Sequence, residues 1–339
     1  MFKRLLCLLA TVFTALPATF AFSEDVNVYS SRHYDTDDAL YAKFTEETGI
    51  DVNRIEAKAD ELIARLEAEG DNSPADVLIT VDVGRMDRAE RAGLLKPFDS
   101  ESIEASIPDN LRHPDNLWFG ISQRLRIVFY HKDRVQSPPM TYEELADEKW
   151  AGKICIRSSS NIYNQSLLAS LIEVHGEDAA REWAAGIVGN MARPPEGGDT
   201  DQLRALVSGE CDIAVSNHYY FLRGYSKEVK GLTPGIDSIG WVWPNQSDRG
   251  AHVNLSTAAI LANSPNSENA TRLLEFFTSE AAQEHLAGQN HEFTTVPGAM
   301  DAPTTERLGK FKADSTTPTA SFSENAAAAQ AIFNEVGWD

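Results

Sequence analysis

The sequence predicts an α/β protein with room for two domains. Its 339 residues suffice for two domains, or for one large one, with an ample core. Apolar residues make up 42% of the chain and charged residues 24%, which is ordinary for a soluble globular protein. Along the N-terminal third, short apolar runs alternate with helical patterns. This alternation is typical of a parallel sheet covered by helices.

Three strand–helix pairs open this pattern. Residues 26–31 predict the first strand, and the acidic cluster at 35–38 is suited to begin the helix that follows. Gly49 is suited to end that helix. Further strands are predicted over residues 50–57 and over 75–81, a continuous apolar run of the kind found in buried parallel strands. The helices after these two strands are predicted over 60–70 and 85–92.

The rest of the chain repeats both patterns less regularly. Further strands are predicted at residues 127–130, 153–156, 211–216, 239–243 and 257–261. Further helices are predicted at residues 141–146, 163–175, 177–188, 202–208, 268–278 and 280–288, and past Asn325. Residues 217–220 are expected to form a loop at the carboxyl end of the strand that precedes them. Ligands bind at this end of the strands in open α/β sheets.

The charge of the chain limits its partners. The formal net charge of −21 argues against nucleic-acid binding, for which a basic surface is expected. A diffuse negative surface attracts cations weakly and favours solubility, but it says little about the fold.

The first residues differ in composition from everything that follows. Lys3 and Arg4 give a positive start, residues 5–13 are apolar, and residues 19–21 offer a small-x-small cleavage site. Residues 1–21 are therefore predicted to be a secretory signal peptide, and the apolar run is too short for a spanning helix.

Two cysteines remain after the predicted cleavage, Cys155 and Cys211. An exported chain matures in an oxidising compartment, so a disulfide is favoured over two buried thiols. Both cysteines lie in strand-like runs and are expected to be neighbours in one sheet. The chain has no Cys-x-x-Cys motif and no Cys/His cluster, so no zinc site is predicted.

Several aromatic and polar side chains fall where predicted strands meet loops or helices. They are His33, Tyr34, Arg124, Tyr163, Tyr219, Tyr220 and Arg223. Taken singly, each has a simpler interpretation as a packed or rim aromatic, a loop histidine, or a surface or ion-paired arginine. Asp82 follows a strand in the same way and is interpreted as a helix cap or as an outer partner of a site. Together, they could converge on one cleft between two α/β lobes.

Several phenols with an imidazole suit a hard, highly charged cation. A tyrosine with its reference pKa near 10 is a poor ligand while protonated, but such a cation can displace the proton. Hard oxygen ligands select hard ions, and Fe3+ is the commonest biological candidate. Four phenolates and a neutral imidazole around Fe3+ sum to −1, so a nearby arginine would compensate the buried charge.

Six segments of the sequence carry a resemblance to a known family. They are residues 29–37, 58–63, 73–80, 156–166, 197–202 and 217–220. With these segments the chain resembles periplasmic ferric-iron-binding proteins, the substrate-binding components of iron ABC importers, and most closely the tyrosine-rich subgroup of cyanobacteria. The resemblance implies a two-lobed periplasmic binding protein fold of class II type, each lobe a mixed sheet flanked by helices, joined by a strand hinge. Lobe 1 would comprise residues 22–122 and 255–305, and lobe 2 residues 123–254 and 306–339.

The resemblance also implies roles for individual residues. The phenolate ligands of Fe3+ would be Tyr34, Tyr163, Tyr219 and Tyr220, with His33 as a fifth ligand. Arg124 or Arg223 would lie just outside the ligands. The better-known ferric-binding branch uses a glutamate where this chain has Val81, which disfavours an anion-assisted site. The implied protein is a periplasmic monomer that is not an enzyme and that delivers iron to a membrane permease.

Two alternatives remain at this point. The same lobes could hold a small organic ligand such as thiamine or a phosphonate, with the tyrosines as a stacking cage. A secreted hydrolase is the other alternative. The chain has no G-x-S-x-G and no H-E-x-x-H motif, but sequence does not exclude paired catalytic carboxylates.

Overall fold

The structure, a computed structural model, describes residues 25–32, 34–299 and 303–339. The predicted signal peptide and His33 lie outside the described residues. Within the described ranges, no helix is long and apolar enough to cross a membrane.

The predicted strands are present in the predicted order. The strands of the structure are β1 Asp25–Ser30, β2 Asp51–Glu56, β3 Val77–Thr80, β4 Leu95–Lys96, β5 Phe119–His131, β6 Ile154–Cys155, β7 Ile213–Asn217, β8 Ile239–Val242 and β9 Val253–Leu261. β4 was not predicted, and β5 begins eight residues earlier than the predicted 127–130. Arg124 therefore lies inside a strand, not where a strand meets a loop as predicted.

Helices separate most of these strands along the chain. They are α1 Asp37–Thr48, α2 Ala59–Glu69, α3 Val83–Arg91, α4 Glu101–Ser106, α5 Ile162–His175, α6 Glu177–Asn190, α7 Asp199–Ser208, α8 His218–Ser226, α9 Ser267–Phe277, α10 Glu280–Asn290, α11 Pro303–Glu306, α12 Ser321–Glu324 and α13 Ala326–Val336. The helix predicted over residues 141–146 is only a 3-10 turn at Glu143–Ala146.

The sheet has the order β2-β1-β3-β9-β5-β7-β6, with β4 beside β9 and β8 beside β5. β1 is parallel to β2 and β3, as the strand–helix alternation predicted. β9 runs antiparallel to β3 and to β5, so the sheet is mixed rather than parallel throughout.

Strand β5 joins two halves of this sheet. It pairs with β9 up to Leu125 and with β7 from Arg126 onward. The first half contains β1, β2, β3, β4 and β9, and the second contains β6, β7 and β8. A single strand thus connects two α/β units.

The prediction of a loop at residues 217–220 is wrong. β7 runs directly into α8, so Tyr219 and Tyr220 lie in the first turn of a helix. Phe221 and Leu222 are fully buried, and the Phe221 ring packs 5.0 Å from the ring of Phe129 on β5. This burial of one helix face stabilises α8 where a run of aromatic residues alone indicated a turn.

A buried network of charges lies at the junction of the halves. Glu292 is fully buried and accepts hydrogen bonds from Arg32 Nη1 at 2.8 Å and Ser122 Oγ at 2.7 Å. Its other oxygen lies 3.1 Å from Nε of Arg124. Arg32 also pairs with Asp37, the first residue of α1, at 3.0 Å. Two cations and two anions balance, which is the condition for burying charge at tolerable cost.

The predicted disulfide is present. Cys155 at the end of β6 is bonded to Cys211, and their Cα atoms are 5.9 Å apart. The two cysteines are 56 residues apart in sequence, and the bond ties β6 to the chain that leads into β7.

We expect Cys155→Ser/Cys211→Ser to lower the free energy of unfolding by about 2–4 kcal/mol, because the unfolded chain regains the freedom of a long closed loop. Urea denaturation of the oxidised wild type and of the double variant measures this loss. An equal loss in wild type treated with a reductant is the matching control. A variant as stable as the oxidised wild type would contradict the prediction.

We expect Glu292→Gln to lower the free energy of unfolding of the metal-free protein by about 3–5 kcal/mol, because it leaves two buried arginines with one anion. The control is Glu61→Gln, which breaks an exposed pair with Lys58 and should cost at most about 0.5 kcal/mol. Urea denaturation of both variants measures the difference. Equal, small losses would show that Glu292 is not a needed counter-charge.

Candidate metal centre

Four tyrosines meet where β5 passes from one half-sheet to the other. Tyr34 follows β1 and precedes α1, and Tyr163 is the second residue of α5. Tyr219 and Tyr220 lie in the first turn of α8. Tyr219 is fully buried, and the other three side chains keep partial exposure.

The hydroxyls of three of these tyrosines surround one nitrogen of Arg124. Nη2 of Arg124 donates to the hydroxyl oxygens of Tyr34 at 3.2 Å and Tyr163 at 2.9 Å, and also to that of Tyr219. The hydroxyl of Tyr219 donates to the hydroxyl oxygen of Tyr163 at 3.3 Å. Three phenol oxygens from separate segments therefore converge on one point.

Tyr220 borders this group through its ring. The rings of Tyr219 and Tyr220 have their centroids 4.5 Å apart. The Arg223 guanidinium lies 5.3 Å from the centroid of the Tyr220 ring. Of the two arginines expected near the site, Arg124 therefore contacts the phenol oxygens, whereas Arg223 covers a ring.

Helix starts and buried polar groups set the positions of the tyrosines. The side chain of Asn161 caps α5 by accepting the N–H of Tyr163 at 3.0 Å. Asn217 Nδ2 donates to the Tyr219 hydroxyl at 3.2 Å, and the backbone N–H of Asn217 donates to Asp199 at 2.9 Å. These hydrogen bonds fix where the phenol groups of Tyr163 and Tyr219 lie.

His218 is a structural histidine beside these tyrosines. Its Nε2 donates to the carbonyl of His291 at 2.8 Å, and its Nδ1 accepts the N–H of Leu125 at 3.2 Å. Burial lowers the pKa of His218 to about 4, so the imidazole is neutral near pH 7. Both ring nitrogens are thereby engaged by the backbone.

Burial and Arg124 act in opposite directions on the phenols. Burial raises the pKa of Tyr34 to about 12 although the Arg124 charge opposes it, and burial also raises the pKa values of Tyr219 and Tyr220. At Tyr163 burial is outweighed by the charge of Arg124 and the hydrogen bond from Tyr219, so its pKa is lowered. In the metal-free site, Tyr34, Tyr219 and Tyr220 therefore resist loss of their protons, whereas Tyr163 loses its proton more easily than a free tyrosine.

The carboxyl group of Asp82 caps helix α3, which was one of its two predicted roles. It accepts the N–H of Gly84 at 2.9 Å. The neighbouring Val81 accepts a hydrogen bond from Arg124 Nη1 through its backbone carbonyl. Val81 thus takes part in orienting the guanidinium, although its side chain is no ligand.

Sequence reasoning missed three charged residues around the site. The carboxylate of Glu292 forms an ion pair with Arg124 at its Nε. Arg126, two residues along β5, pairs with Asp199 at 3.2 Å and donates to Asn164 of α5 at 2.6 Å. Asp199 belongs to the segment 197–202 that carries the resemblance, so its signal was present. No pattern in the sequence singled out Glu292.

Other metal-binding chemistry is not found in the described part of the chain. There, no group of three or more His, Cys, Asp or Glu side chains is placed to hold a metal ion. The four tyrosines are therefore the best candidate ligand set in these ranges, and the undescribed His33 directly precedes one of them.

The chain is similar to known proteins over almost its whole length. Residues 39–313 match the family described as bacterial extracellular solute-binding proteins. Iron uptake protein A1 of Synechocystis is 47% identical over 93% of this chain and 88% of its own length. The major ferric iron-binding protein of Neisseria meningitidis is 28% identical, over 92% of both chains.

A solved structure supports the same assignment. The Trichodesmium protein IdiA (FutA), in complex with iron and citrate ligands, superposes with a TM-score of 0.89 at 48% identity, over 93% of this chain and all of that one. This confirms the predicted two-lobed fold. These relatives are uptake and binding proteins, not enzymes, which excludes the hydrolase alternative. The chain therefore belongs to the bacterial extracellular solute-binding protein family, alongside iron uptake and ferric-iron-binding proteins, as its sequence motifs predicted.

Proposed function

We propose that the protein captures Fe3+ in the periplasm and delivers it to the membrane permease of an ABC importer. The observation that carries the proposal is the convergence of the Tyr34, Tyr163 and Tyr219 hydroxyls on one nitrogen of Arg124. Phenolate oxygens are hard ligands, and hard ligands select hard cations such as Fe3+. The named iron proteins among the relatives support the same ligand.

The proposed ligands are Tyr34, Tyr163, Tyr219 and Tyr220, with His33 as the fifth. Four phenolates and a neutral imidazole leave a net charge of −1 on the ferric site. Arg124 is placed to compensate it, since its guanidinium contacts three of the phenols and stays protonated. Arg223, whose guanidinium lies 5.3 Å from the centroid of the Tyr220 ring, is proposed to shield the site at Tyr220.

The ligands are proposed to come from two lobes. Lobe 1, residues 22–122 and 255–305, would supply His33 and Tyr34, and lobe 2, residues 123–254 and 306–339, would supply the other tyrosines. The change of partner strands along β5 between Leu125 and Arg126 lies three residues beyond the proposed bound at 122 and supports a crossing between lobes within this strand. Closing the lobes would remove water from the ion and strengthen each charge contact.

The proposed route follows from the predicted export signal. Residues 1–21 would direct the chain to the periplasm and be removed, and the mature protein would act as a monomer that meets its permease at the membrane. The family to which the chain belongs is an extracellular one, which supports this location.

The alternative of a small organic ligand is less well supported. A stacking cage would present ring faces to a ligand, whereas here three hydroxyl oxygens converge on one point. Convergent oxygens suit a small cation better than a flat molecule.

We expect the mature protein titrated with chelated Fe3+ to develop a broad visible phenolate-to-iron charge-transfer band. Tyr219→Phe/Tyr220→Phe should weaken the band strongly and lower the iron affinity, because it removes two of the four proposed phenolates. Tyr225→Phe is the matched control: it lies in the same helix, but its hydroxyl donates to Asp237 at 3.3 Å. A flat spectrum from the wild type, with no iron kept through dialysis, would refute the ferric proposal.

We expect iron affinity to fall as the pH falls from 9 to 7, because each phenol must lose a proton to bind. Every proton displaced adds about one unit to the slope of log affinity against pH. Tyr220→Phe should therefore reduce that slope by about one. Burial raises the pKa of Tyr220 in the metal-free protein, so its proton is still bound throughout this range.

His33→Ala separates the imidazole from the phenols in the same measurement. A neutral imidazole displaces almost no proton above pH 7, so this variant should bind iron more weakly with an unchanged slope. Competition against citrate at each pH gives the affinities, and the pH dependence of citrate cancels between variants. Equal slopes for wild type and Tyr220→Phe would remove Tyr220 from the ligand set.

A further inference from the structure

Asp82 makes contacts that its role as a helix cap does not explain. Its carboxylate is fully buried and accepts hydrogen bonds from three donors. They are the N–H of Gly84 at 2.9 Å, the hydroxyl of Ser166 at 2.8 Å and the amide Nδ2 of Asn254 at 2.6 Å. One N–H suffices for a cap, so the bonds from Ser166 and Asn254 are additional contacts of this buried carboxylate.

The three donors belong to three parts of the fold. Gly84 lies in α3, beside Asp82 itself, and Asn254 lies in β9, which pairs with β5 at the junction. Ser166 lies in α5, on the other side of the proposed lobe boundary. The carboxylate of Asp82 therefore bonds to the first half-sheet and α3 through Asn254 and Gly84, and to α5 of the second lobe through Ser166.

Helix α5 also carries Tyr163, three residues before Ser166. Residues three apart lie on the same side of a helix, so both side chains point toward the first lobe. The Ser166–Asp82 bond fixes this face of α5 one turn beyond the phenol. A shift of α5 away from Asp82 would carry Tyr163 away from Tyr34 and Arg124.

Asn254 fixes Asp82 in turn. Its side-chain oxygen accepts the N–H of Val83 at 3.0 Å while its amide donates to Asp82. Asn254 is the last residue of the proposed range 123–254 of lobe 2, but it lies in β9 of the first half-sheet. Asp82 is thus held by the first half-sheet, and the hydroxyl of Ser166 is its bond to helix α5 of the second lobe. Helix α12 also touches α3 from that side, where Ser323 donates to Asp87.

We propose that Asp82 and Ser166 are positioning residues that hold the lobes closed over bound iron and keep Tyr163 in place. The inference rests on the proposed function and adds a contact outside the ligand set. The bond forms when the lobes close and breaks when they open. It therefore slows the release of iron without touching the metal.

Ser166→Ala tests this inference with little change in packing, because it removes one buried hydroxyl oxygen. Losing a hydrogen bond to a charged group should speed iron dissociation about tenfold or more, measured by challenge of the iron-loaded protein with excess chelator. The charge-transfer band should keep its position, because all proposed ligands remain.

Ser170→Ala is the matched control. Ser170 is also buried in α5, but its hydroxyl donates to Leu167 in the same helix at 2.7 Å. We expect this variant to release iron at the wild-type rate. Asp82→Ala combined with Ser166→Ala should release iron no faster than Asp82→Ala alone, because the Ser166–Asp82 bond is absent from both variants.

The outcomes separate this inference from the proposed function. A wild type without the charge-transfer band would overturn both. A normal band with wild-type dissociation in Ser166→Ala would overturn the positioning role alone. Faster dissociation in Ser166→Ala and Ser170→Ala alike would also overturn it, because the effect would then belong to α5 in general.

Discussion

A single buried guanidinium, that of Arg124, is the interaction on which the site depends. Glu292 lies behind it at 3.1 Å, and the carbonyl of Val81 accepts one of its N–H groups. Its remaining nitrogen is thereby directed at the hydroxyls of Tyr34, Tyr163 and Tyr219. A buried cation that must be paired can adopt few positions, and this restriction gives the phenols a common centre.

The same arrangement explains why phenols can serve as metal ligands here. Burial alone keeps these tyrosines protonated, and it raises the pKa of Tyr34 to about 12. A cation beside them lowers the cost of ionisation, and at Tyr163 this contribution outweighs burial. A trivalent ion would supply the rest of the energy, whereas a divalent ion of similar size would supply less. The environment therefore favours binding of the more highly charged ion.

How much could be predicted from the sequence depended on how local the determining contacts are. β3 was predictable from its continuous apolar run, and β1 and β2 from the alternation of strand and helix patterns with glycines at the helix ends, all of which are local signals. The tyrosines were predictable through their motifs. Helix α8 was predicted wrongly, because Phe221 and Leu222 select a helix through contacts with β5, which a short aromatic run does not reveal. Glu292 had no signal, because its partner Arg32 lies 260 residues away.

The contacts that position the tyrosines start from strand β5. Arg124 and Arg126 are two residues apart on it, so both point to the same face. Arg124 gathers the phenols, and Arg126 holds Asp199 and Asn164, which in turn position the starts of α8 and α5. Because β5 belongs to both half-sheets and changes partners between these two arginines, a rotation of the lobes would displace Arg124 less than any ligand. The cation would then stay at the centre while the phenols close around it, and so each closing motion would end at the same geometry.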